Sequence, residues 1–120
     1  MNINLLPLFA SNVFYFNIDE DTSELDPDNF KFLRLGENNF ASSINAYSTI
    51  NIRVLEKYPN TKKIILDKFK EIAKNVLGYD NDFQISTSWF TKIEKGGYCN
   101  FHAHRHCLYS GIYYFGNNYT

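Results

Sequence analysis

The chain has 120 residues, of which 44% are hydrophobic and 21% charged, which suits one globular domain over 1–120 with a single core. Aromatic residues reach 18%, with 11 Phe and 9 Tyr, a content that excludes intrinsic disorder. A net charge of −1 argues against nucleic-acid binding driven by bulk electrostatics, and no apolar run reaches the about 20 residues of a membrane span.

In chain order, the apolar patch at 5–10 is broken by Pro7 and has no basic residue before it, so it does not read as a signal peptide. Two cysteines, Cys99 and Cys107, are too few for a disulfide-stapled domain and read as small buried hydrophobes. A reducing, cytoplasmic setting is expected, the host cytoplasm if the chain is viral. Phe14, Phe16 and Ile18 alternate and predict a strand over 12–18. Residues 19–28 carry six acids and no base, the pattern of a solvated loop. It leads to a short helical element with Asp26 as N-cap, Pro27 at the first helical position and Gly36 as its end. Ile50, Ile52 and Val54 alternate and predict a second strand.

A helix is expected from residue 60 or 61 to 77. Ile65, Phe69, Ile72, Ala73, Val76 and Leu77 recur at helical spacing, and Gly78 stops it. From Phe83 the period becomes two, with Ile85, Thr87, Trp89, Thr91 and Ile93 on one face and Gln84, Ser86, Ser88 and Lys92 on the other. Lys95-Gly96-Gly97 predicts a hairpin turn, followed by strands over 98–104 and 108–115. Helices early and consecutive strands late define an α+β chain, with N-terminal helices packed on antiparallel strands.

All three histidines fall in one stretch, at 102, 104 and 106. Strand alternation places His102 and His104 on one side with Tyr98 and Asn100, while Cys99, Phe101 and Ala103 face the other way. Two imidazoles two residues apart can address one metal ion. A histidine pair of this spacing is also commonly solvent-facing or hydrogen-bonded. Cys99-x-x-His102 and His104-x-x-Cys107 resemble zinc half-sites, but an extended strand turns Cys99 away from His102.

The combination of Ser88-Trp89, Gly97-Tyr98, Asn100, His102-Ala103-His104 and Ser110-Gly111-Ile112-Tyr113-Tyr114 resembles a family of 2-oxoglutarate-Fe(II) oxygenases common in phage and marine bacteria. Pro7-Leu8-Phe9 is similar to that family's opening segment, and Arg105 stands where proline is usual. The resemblance implies a partial double-stranded β-helix (jelly roll) holding Fe(II), with 2-oxoglutarate as cosubstrate and hydroxylation as the reaction. It implies His102 and His104 as metal ligands, the latter where many relatives place Asp, with His106 as the candidate third ligand. Tyr98, Asn100 and Tyr114 are the implied cosubstrate-side residues, although parity admits only one of Tyr113 and Tyr114.

Such oxygenases carry a further histidine and a basic residue downstream, and this chain has no fourth histidine. The expectation is therefore a truncated or split domain completed by a complementing chain or a second copy, joined at an open sheet edge near 108–115. Two other readings remain open. One is a cupin-like metal-binding jelly roll, which the spacing from Gly96 to His-x-His suggests although the expected Glu is absent. The other is a non-catalytic phage remnant or assembly module.

Overall fold

The helix expected from Ile65, Phe69, Ile72 and Ala73 forms as α1, Pro59–Asn75. The computed structural model describes residues 3, 13–35, 44–99 and 107–115. Pro59 sits in the first turn, where its missing N–H has no helical partner to lose. At the far end Val76 is the C-cap, Gly78 takes φ +77°, and the Tyr79 amide donates back to the Ala73 carbonyl at 2.8 Å. The helix ends just before Val76, which periodicity assigned to the packed face and which is 63% exposed. Among the described residues, no helix is long and apolar enough to cross a membrane.

The strands are β1, Phe32–Arg34, β2, Ile44–Thr49, and β3, Thr91–Tyr98. They form an open antiparallel sheet in the order β1-β2-β3. The chain is thus mixed helix and sheet, but two strands precede the helix instead of following it. Among the described elements, α1 lies against the 3₁₀ turn Val54–Lys57 rather than across the sheet.

Several expected elements are replaced for identifiable reasons. Asp26 does cap a helical start, its Oδ1 accepting from the Asp28 N–H at 3.2 Å. That element is only the 3₁₀ turn Pro27–Asn29, after which the chain enters β1; Gly36, its expected end, lies outside the described residues. The strand expected through Ile50, Ile52 and Val54 is absent. Thr49 Oγ1 donates to the Asn51 carbonyl at 2.8 Å, and Asn51 Oδ1 accepts from the Arg53 N–H at 2.7 Å. These local side-chain bonds bend the chain out of β2 and into the 3₁₀ turn. Val54 is consequently buried, while Ile50 and Ile52 are exposed. Residues 13–18 form no ladder among the described residues, and Tyr15 is 94% exposed.

The period-two run from Phe83 becomes a strand only at Thr91, and its phase inverts on the way. Ser88 and Phe90 turn inward and Trp89 outward. Ser88 is drawn in because its N–H donates to the Ile52 carbonyl at 2.9 Å and its carbonyl accepts from Val54 at 3.1 Å.

Lys95-Gly96-Gly97 is not a hairpin turn but a bulge inside β3. Between the pairs Ala46↔Ile93 and Ile44↔Tyr98, two steps along β2 face five along β3. Gly96 and Asn45 absorb the mismatch at φ +76° and +48°. A Cβ on Gly97 would lie 2.6, 2.7 and 2.8 Å from the carbonyl oxygens of Asn45, Ile44 and Glu94. Of the strand expected over 98–104, Tyr98 ends β3 and 100–104 lie outside the described residues. Residues 107–115 form no strand, and among the described residues the outer strands of the sheet are β1 and β3.

The core is built from Val54, Tyr58 and Phe90, with Leu25, Phe30, Phe32 and Phe115 packed against them. Phe90 meets Phe30 edge-on at 5.4 Å and Phe115 at 5.7 Å. A second ring cluster joins α1 to later segments, with Phe69 at 5.1 Å from Phe83 and 5.2 Å from Tyr109.

Candidate functional site

Of the residues singled out for chemistry, His102, His104, His106 and Asn100 lie outside the described residues. Their approach is described. Tyr98, the last residue of β3, pairs with Ile44 and is half exposed, and Cys99 follows it, half-buried. Gly97, just before Tyr98, sits close against the carbonyls of Ile44 and Asn45 at the end of the β2–β3 ladder. Cys107, expected in the interior, is exposed.

The second motif block, 110–114, runs past the protein without pairing. Tyr113 and Phe115 are half-buried and stack at 5.7 Å, with 26° between their rings. The Tyr113 hydroxyl lies 2.7 Å from Thr22 Oγ1. Tyr114, named as a cosubstrate contact, is 71% exposed. Parity thus assigns the inward position to Tyr113. Ser110, Gly111 and Ile112 face Val13, Phe14 and Tyr15 across an open cleft of about 360 Å³. Among the described residues, no carboxylate lines it. Its described walls offer apolar contact, backbone groups and two hydroxyls. Among the described residues, no group of three or more His, Cys, Asp or Glu could hold a metal ion.

The acidic stretch proves to be structural rather than merely solvated. Glu24 Oε1 accepts from the Thr61 N–H at 2.8 Å and from the Thr61 hydroxyl at 2.6 Å, capping the first turn of α1. The Tyr58 hydroxyl takes the Asp26 N–H at 3.3 Å and donates to the Asp26 carbonyl at 3.2 Å. Glu20 pairs with Lys68 at 3.0 Å. The hydrogen bond from Lys68 holds the Glu20 carboxyl below its ordinary range, and the same bond raises the Lys68 ammonium. Ser23 lowers Asp21, and Lys62 lowers Glu56. The strap formed by residues 20–26 thus joins α1 on one side and, through Thr22, the Tyr113 segment on the other. Sequence reasoning missed these roles. The one available signal was that α1 begins at Tyr58 and Pro59 with no capping side chain of its own.

No protein-family model matches the chain, and neither a curated protein nor a solved structure matches it.

Proposed function

We propose that the chain is a non-haem Fe(II)/2-oxoglutarate-dependent dioxygenase-like protein of the hydroxylase type. In this reading it is cytoplasmic and forms part of a double-stranded β-helix, completed by a complementing chain. The observation that carries the reading is the position of His102-x-His104 directly beyond β3. If the extended backbone of β3 continues past Tyr98, residues 98, 100, 102 and 104 share one side. Imidazole donors suit ferrous iron, and His102 and His104 would hold it, with His106 or a carboxylate of the complementing chain as third donor. Bound there, Fe(II) would supply oxygen activation coupled to decarboxylation of 2-oxoglutarate.

The chain's own residues have narrower tasks. Each ligating imidazole must be neutral to donate to the metal, so acid weakens iron binding. The Tyr98 hydroxyl donates to a cosubstrate carboxylate, and Asn100 orients an imidazole or the cosubstrate through a hydrogen bond. Tyr114, already exposed, is the contact offered from the second motif block.

The test is anaerobic Fe(II) titration together with 2-oxoglutarate-dependent succinate release, for the chain alone and with the product of the neighbouring gene. One iron per chain is expected, lost in His102→Ala and in His104→Ala. Absence of both iron binding and turnover in every combination overturns the reading. Iron binding without turnover redirects it to the cupin-like metal-binding alternative.

A further inference from the structure

β3 is an edge strand, and among the described residues nothing pairs with its outer side. Its phase is fixed by one bond, from the Thr49 N–H to the Phe90 carbonyl at 3.0 Å. Alternation then makes Tyr47↔Lys92 a hydrogen-bonded pair and leaves Ser48↔Thr91 and Ala46↔Ile93 as non-bonded pairs. Thr91 and Ile93 therefore turn their N–H and C=O groups away from β2, toward the bare edge. The strand is exposed from Thr91 through Gly96, and Ile93 is 52% exposed.

The side chains on this edge are their own complement, because Lys92 and Glu94 flank Ile93 one step to either side. They share a face, their charged atoms 3.9 Å apart. We propose that β3 pairs antiparallel with β3 of a second copy about a two-fold axis at Ile93, extending the sheet from three strands to six. In this register Ile93 exchanges both backbone bonds with its mate, and Thr91 stands opposite Lys95, where the bulge begins. Lys92 then lies opposite Glu94 in the closer, non-bonded positions, twice per dimer. Lysine on an edge ordinarily blocks such pairing; here Glu94 answers it. Registers centred on residue 92 or 94 instead set Lys92 against Lys92 or Glu94 against Glu94, so charge selects the Ile93 axis.

Sedimentation equilibrium of the full chain tests this. The native protein should show a concentration-dependent monomer–dimer equilibrium. Lys92→Glu alone and Glu94→Lys alone should each weaken it by about tenfold or more, since two attractive cross-strand pairs become repulsive. Mixing the two single variants in equal amounts should restore dimer. Every cross-strand pair then joins opposite charges, although within each chain residues 92 and 94 still repel. Circular dichroism of each variant shows that it is folded. A native chain that stays monomeric at every concentration, a dimer that neither variant weakens, or a mixture that stays dissociated would each overturn the proposal.

Discussion

Residues 54–61 and the far end of β3 are secured by opposite means. In the first region, the 3₁₀ turn and α1 start at Arg53 and Tyr58, neither of which provides a side-chain cap. The acceptors arrive from far along the chain: Ser88 Oγ takes the Leu55 N–H at 3.0 Å, and Glu24 takes both donors of Thr61. At the end of β3 the decisive feature is a side chain left off, since Gly97 lies against three backbone carbonyls. A lost cap costs a hydrogen bond, and the freed donor can turn to water if it is reachable. An added methyl at Gly97 has no escape, because backbone rather than a flexible side chain stands in its way.

The contrast sets an order of effects. Gly97→Ala should be the most damaging change, destabilising by about 3 kcal/mol through overpacking against backbone, read from urea denaturation. Glu24→Ala should cost about 2 kcal/mol, because it strands the hydroxyl and amide of Thr61, a residue that is fully buried. A double-mutant cycle with Thr61→Val would show the coupling directly; additivity there would break the account of a distant cap. Ser88→Ala should cost about 1 kcal/mol, the scale of a lost cap. Gly96→Ala, with no atom within 4 Å of the new methyl, should cost about 1 kcal/mol from left-handed backbone alone. A loss equal to that of Gly97→Ala would erase the distinction between the two glycines.

The smallest effect is electrostatic. The Glu20 carboxyl is held low by Lys68, so the pair's contribution is present above the ordinary carboxylate range and fades as pH falls through the lowered value. Lys68 is raised by the same contact, so its share persists below the ordinary lysine range and is lost only as pH rises through the raised value. Both groups are solvent-accessible, so Glu20→Gln should slightly flatten the acid limb of a stability–pH profile, and added salt should mimic the substitution.

What could be read from the residues was local chemistry. α1 was legible because Ile65, Phe69, Ile72 and Ala73 repeat at its period, and the Asp26–Pro27 start because cap and proline are adjacent. β1 and β2 were not, since Phe32-Leu33-Arg34 is short and Ile44-Asn45-Ala46-Tyr47 carries little apolar contrast. Phe83 to Phe90 misled because Ser88, a polar residue, is the one drawn inward by the backbone of residues 52–55. Gly96-Gly97 was ambiguous in principle: the freedom that suits a hairpin also suits a bulge, and only the partner strand decides. At the candidate site, the resemblance nominated Tyr98 and Tyr114, whereas the hydroxyl that finds a partner on the described protein is that of Tyr113, through Thr22.

The surplus residues of β3 also act as a lock. Sliding β3 along β2 by two positions would set Lys95 or Cys99, in place of Gly97, against the carbonyls of Ile44 and Asn45. Each brings a carbon that the seat refuses, and a slide by one position would turn the strand's faces over. The seat at Gly97 thus favours the alignment of β2 and β3 that the ladder shows.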